Sequence, residues 1–277
     1  MTTILPARHL RRRALIAAII ALLAGALAAS NSSAARAHQA GVKPTIVLVH
    51  GAFADSSSWT GVITRLRRDG YNVIAPANPL RSLSGDSSYI AGVLAQTPGP
   101  IVLVGHSYGG AVITNAAAGN PNVKALVYVD AFVPDVGENI FELAGAGSEL
   151  GGALQFQGYA PFGQNDVEAL IKPEMFHDVF AADLSARTAD AMAAAQRPLA
   201  LAAGEEPTQA AAWKTIRSWD VIGLADRAIT PDEQLFMAHR ANAQITQIPG
   251  ASHVSMISHP DAVTRVIEQA ATAAGSA

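Results

Sequence analysis

The sequence predicts an α/β protein, with a mostly parallel central sheet, helices on both faces and a helical cap inserted late in the chain. Three observations predict it. From residue 45 onward, short apolar β-branched runs alternate with segments of helical period, the pattern of strands buried between helical layers. Hydrophobic residues make up 50% of the 277 positions, enough for a sizeable core. A Gly-x-Ser-x-Gly pattern at residues 105–109 lies between a buried run and an alanine-rich helical stretch. The chain has no cysteine, so neither a disulfide framework nor a thiolate metal site enters the reading.

The first residues differ from the rest. His9-Leu10-Arg11-Arg12-Arg13 is basic, Ala14 to Ala29 is almost wholly apolar, and small residues follow, ending in Ala35-Arg36-Ala37. A charged start, an apolar run and an Ala-x-Ala site form a secretory signal over residues 1–37, leaving a mature domain of 38–277. An uncleaved anchor is the alternative reading, but the apolar run is short of the roughly 20 residues a spanning helix needs. Arg12-Arg13 also fits a twin-arginine signal beside the ordinary Sec route. The expectation is a periplasmic or secreted protein. Residues 1–37 hold five arginines and no acid, so their removal lowers the formal net charge from −3 to −8. So acidic a domain is a poor partner for nucleic acid or an anionic membrane.

The elements follow in order. Thr45-Ile46-Val47-Leu48-Val49-His50 is a buried strand, followed by a loop and a helix from about Ser58 to Asp69 that Gly70 stops. Tyr71 to Ala75 is the next strand, and Ser87 to Gln96 a helix that begins near Asp86. Pro100 to Gly105 is a strand, Gly109 to Ala118 a helix and Lys124 to Asp130 a strand. Between residues 133 and 212 no buried strand stands out. Glycines cluster at 145, 147, 151 and 152, and Leu184 to Gln196 is helical. This stretch is the expected cap. Strands return at Ser218 to Leu224 and Gln244 to Ile248, with helices at Pro231 to Arg240 and Asp261 to Ala273. Pro231 suits the first turn of its helix.

Gly105-His106-Ser107-Tyr108-Gly109 is the chemical centre of this pattern. A strand–turn–helix elbow holds its serine in a strained backbone conformation at the tip of the sheet, and the flanking glycines avoid clashes as the chain folds back. Ser107 then sits at the start of a helix, where developing negative charge is favoured. No Gly-x-Gly-x-x-Gly or Walker pattern accompanies the motif, and no cofactor or metal is expected. A serine hydroxyl needs a base to take its proton. In such sites acid and histidine follow the serine in chain order. His253, after the last strand, is the candidate base. His259 reads as a surface or capping residue, His177 as an exposed cap residue, and His50 and His106 as buried structural histidines. Asp226, in the loop after Ser218–Leu224, is the preferred acid, with Asp130 at a strand end as the alternative. Asp220 and Asp232 lie inside a strand and on a helix. The backbone amides of Tyr108 and Ala52 are the expected oxyanion donors.

Val49-His50-Gly51-Ala52-Phe53 with Trp59, Gly105-His106-Ser107-Tyr108-Gly109-Gly110 and Ala251-Ser252-His253 together resemble the α/β-hydrolase superfamily. The likeness spans roughly residues 44–272 and is nearest to bacterial hydrolases related to the plant methyl-ester esterases of the salicylate-binding type. It implies an esterase that uses Ser107, Asp226 and His253, with Ala52 and Tyr108 at the oxyanion. The implied partner is a small, partly apolar ester, with Phe53, Tyr108, Phe132 and Phe141 as candidate lining. Other chemistries share the fold. Hydroxynitrile lyases characteristically carry Thr after the motif histidine and Lys after the catalytic one, where this chain has Gly51 and Val254. Cofactor-free haloperoxidases or perhydrolases, and non-catalytic hormone receptors, are the further alternatives.

Overall fold

The computed structural model describes residues 43–159 and 166–275. The expected signal over residues 1–37 lies outside them. Six strands form one wholly parallel sheet. They are β1 (Thr45–Val49), β2 (Val73–Ile74), β3 (Ile101–His106), β4 (Val123–Val129), β8 (Ser218–Gly223) and β9 (Gln244–Ile248), in the order β2-β1-β3-β4-β8-β9. Every residue of β1, β3 and β8 is buried, as expected for strands covered on both faces. β2 is shorter than its apolar run because only Val73 and Ile74 pair with β1, at the sheet edge.

Right-handed crossovers place the helices. The chain runs outward from β1 to β2, then doubles back to β3 on the other side. Helix α1 (Thr60–Arg68) therefore covers one face. Helices α2 (Leu83–Ala95) and α3 (Tyr108–Ala116) cover the other. α2 begins three residues before Asp86, because the Ser82 side chain caps it by accepting from the Gly85 N–H at 3.1 Å. Near the C-terminus, α9 (Pro231–Arg240) follows β8, and α10 (Ser255–Ser258) leads into α11 (Pro260–Ala274), which returns to pack on α1. The reversal of strand order between β1 and β3 opens a crevice at their C-terminal ends, the usual ligand position in open α/β sheets.

The insertion between β4 and β8 corrects one expectation. It does hold helices: α4 (Ile140–Leu143), α5 (Leu150–Ala153), α6 (Pro173–Phe180), α7 (Ala186–Ala195) and α8 (Leu201–Glu205). It also holds an antiparallel sheet of β5 (Leu154–Tyr159), β6 (Asp166–Ile171) and β7 (Leu199–Ala200). These strands are short and lack the continuous β-branched run of a buried sheet strand, and residues 155–158 of β5 are exposed. Their sign is the alternation Leu154-Gln155-Phe156-Gln157. Arg81, at the start of α2, ties this sheet down: its guanidinium donates to Glu168 on β6 at 2.8 Å and to the Pro198 carbonyl at 2.7 Å. Among the described residues no helix is long and apolar enough to cross a membrane.

Candidate active site

The turn from β3 into α3 puts Ser107 at φ 52°, a left-handed conformation rare for a residue with a side chain. The elbow needs its glycines. A Cβ on Gly105 would lie 2.5 Å from the Gly109 carbonyl oxygen, and one on Gly109 would lie 2.5 Å from that of Val49. Ser107 also serves as the N-cap position of α3, so its side chain stands at the positive end of the helix.

Strand order brings the other groups to the same edge. The Ser107 hydroxyl donates to His253 Nε2 at 2.9 Å, and His253 Nδ1–H donates to Asp226 Oδ2 at 2.8 Å. The ring tautomer follows from the acceptor on each side. Asp226 is fully paired. Its Oδ1 accepts from the Ala228 and Ile229 amides at 2.8 and 3.0 Å, and its Oδ2 also accepts from Gln234 Nε2 at 2.7 Å. Asp130 does not meet the imidazole. It accepts from the Gly223 amide at 2.9 Å and the Ser255 amide at 3.0 Å. Asp220 is wholly buried within β8, and neither of its oxygens has a partner among the described residues.

Charge in the site follows from burial and pairing. Burial works against protonation of His253, but the charge and hydrogen bond of Asp226, together with the charge of Asp130, outweigh it and raise its pKa above 6.5. Asp130 is pushed up to about 7, first by burial and then by the nearby Asp226. Burial also holds His50 at about 4 and His106 well below its ordinary value, so both stay neutral. Their bonds are structural. His50 donates to the Gly51 carbonyl and accepts from the Asn78 amide. The His106 Nε2–H donates to the His253 carbonyl at 2.8 Å, fixing the backbone of that loop.

The remaining expected residues divide by position. The Ala52 and Tyr108 amides have no hydrogen-bond partner among the described residues. The Tyr108 side chain is buried, and its phenol donates to Asp86 at 2.8 Å rather than facing a ligand. Phe53 meets the edge of Phe180, which in turn lies 5.0 Å from the His253 ring, centroid to centroid. Phe132 is buried beneath the elbow, its amide donating to the Ser107 carbonyl. Phe141 is partly exposed, with its ring over Gly204 of α8. His177 is half-buried rather than exposed and bonds the Leu184 carbonyl at 3.0 Å. His259 is the N-cap residue of α11 and lies 3.5 Å from Asp183. Gln234, Phe180 and Asp86 were missed by sequence reasoning. The apolar spacing of Phe176, Val179 and Phe180 is a signal for a buried helix face, but nothing local marks Gln234.

A cavity of about 250 Å³ opens between the loop after β1 and α7, bounded by Phe53, Ala54, Ser58, Met192 and Ile257. A wider groove of about 720 Å³ lies at the opposite, N-terminal edge of the sheet, beside Trp213 and Arg240, away from Ser107.

A parallel sheet with a serine elbow at its switch point and acid and histidine loops beyond it defines the α/β-hydrolase class. Residues 46–266 match the alpha/beta hydrolase family, and the chain belongs to that family. An alpha/beta hydrolase of Aspergillus novofumigatus is 27% identical over 83% of this chain and 97% of its own length. A carbendazim-hydrolysing esterase of a Nocardioides species is 37% identical over 35% of this chain, a match spanning 46% of that esterase. Among solved structures, polyneuridine aldehyde esterase superposes with a TM-score of 0.72 at 20% identity, over 82% of this chain and 99% of the other. A pyrethroid hydrolase of Sphingobium faniae gives 0.67 at 20% identity, over 84% and 99%.

Proposed function

We propose that this hydrolase is an exported serine esterase that cleaves small, partly apolar carboxylic esters through an acyl-enzyme. The observation that carries the reading is the hydrogen-bonded chain from the Ser107 hydroxyl through His253 to Asp226. Ser107 Oγ attacks the ester carbonyl as His253 Nε2 takes its proton. The tetrahedral oxyanion accepts from the Ala52 and Tyr108 amides. Collapse expels the alcohol, which receives the proton from His253. Water, deprotonated by the same imidazole, then attacks the acyl carbonyl, and as the acyl–oxygen bond breaks His253 returns the proton to Ser107 Oγ and the acid leaves. Asp226 holds the tautomer and stabilises the imidazolium. The hydrolases of carbendazim and pyrethroids among the relatives favour a partly apolar ester, and Phe53 packed on Phe180 offers an apolar wall beside His253.

A fluorophosphonate probe tests the reading: Ser107 should label covalently, and Ser107→Ala should lose both labelling and hydrolysis. Folded wild-type protein that stays unlabelled overturns it. A panel of p-nitrophenyl esters of graded length then ranks the acyl group.

A further inference from the structure

We propose that Asp130 is a positioning residue that clamps the acid loop to the histidine loop, a role that rests on the esterase reading above. The carboxylate is fully buried at the end of β4 and reaches two different segments. One oxygen accepts from the amide of Gly223, three residues before Asp226. The other accepts from the amide of Ser255, two residues after His253. One side chain therefore spans the two backbones whose spacing sets the His253–Asp226 bond. The ionised carboxylate suits this place because it presents acceptors on both sides and no donor.

The backbone agrees. Asp130 sits at φ 46°, in the left-handed region that costs an ordinary residue conformational energy and that Asn, Asp and Gly tolerate best. Such strain persists where the surroundings over-determine it, and here two amide bonds and the strand bond from the Asp130 amide to the Val221 carbonyl do so. The clamp also has an electrostatic side. The groups facing His253 are Asp226 from the loop after β8, Asp130 from β4 and His106 from β3. Those facing Asp130 are Asp226, His253 and Asp220. The charge of Asp130 favours the imidazolium.

Two substitutions compatible with the backbone test the clamp in the full chain. Asp130→Asn keeps the size but turns an NH₂ donor toward one of the two amides. Asp130→Gly relieves the strain and removes both acceptors. Both should lower kcat on a p-nitrophenyl ester about 10- to 100-fold, the scale of a small misplacement of reacting groups, with KM nearly unchanged. In NMR, the His253 imidazole should titrate at lower pH than in wild type, and its Nδ1–H signal should broaden. A His253 titration and Nδ1–H signal that both keep their wild-type behaviour overturn the proposal, whatever happens to kcat. So does a loss confined to KM. The NMR readouts need no substrate. Wild-type Ser107 that fails to label would overturn the esterase reading alone, while a displaced His253 titration would still support the clamp.

Discussion

Asp226 accepts from four donors, and each has a different consequence. Asp226→Asn keeps the shape but presents the wrong partner to Nδ1–H. It should cost about 10⁴-fold in kcat, read in ester hydrolysis with protein that still folds. Gln234→Leu removes a single charge-assisted bond and should cost about tenfold. His253 acts as a base only when neutral, and its pKa is raised above 6.5. The rate therefore rises with pH through a value above 6.5, and Asp226→Asn should move that limb of the kcat/KM profile down. Asp220 acts on stability instead. Burial, then the neighbouring Asp130, holds its pKa well above the ordinary 3.8. Below 3.8 both folded and unfolded states hold the proton and nothing is lost. As pH rises past 3.8 the unfolded chain ionises, the folded chain does not, and stability falls. Asp220→Asn should therefore raise Tm at pH 7, by about 2–4 °C per kcal/mol gained, and leave it unchanged near pH 3.5. Equal Tm changes at the two pH values would contradict this.

At the scale of elements, the elbow is anchored from both helices that flank it. The Tyr108 phenol on α3 bonds Asp86 on α2, and Asp86 also accepts from the Arg81 amide. Arg81 in turn grips β6 of the insertion. The cap helix α6 lays Phe180 against His253 and Phe176 behind it. Phe180→Ala would open a cavity there and should destabilise by about 3–5 kcal/mol, seen in chemical denaturation, together with a loss of kcat as water reaches the imidazole. The parallel sheet was legible because strands buried on both faces read as unbroken β-branched runs. The cap sheet was not, since β5 alternates polar with apolar residues over only 6 residues and β6 opens on Asp166-Val167-Glu168, where charge interrupts the apolar run. Helix starts shifted by a residue or more where a cap such as Ser82 acted upstream of the apolar period.

At the scale of the whole molecule, the strand order collects distant segments at one edge. Ser107 and His253 are 146 residues apart in the chain and 2.9 Å apart in space. The charge balance is also a property of the whole chain. If the arginine-rich leader is removed on export, N-terminal sequencing of the secreted protein should begin near His38. A start at Met1 or Thr2 would reject cleavage. The mature protein should then bind anion exchangers and not nucleic acid, as its formal charge of −8 requires.

Strand and helix identity in the parallel sheet and its covering helices, the elbow at Ser107 and the chain order of serine, acid and histidine follow from local pattern. Periodicity, glycine placement and motif spacing act over a few residues and need no knowledge of neighbours. Chain order favoured Asp226 over Asp130, because the loop of Asp226 is followed by the last helix, strand and histidine, but local pattern did not give the hydrogen-bond partners of either carboxylate. Only the packed loops decide, because a hydrogen bond depends on direction within a few tenths of an ångström. They turn Asp226 to the imidazole and Asp130 to the amides of Gly223 and Ser255.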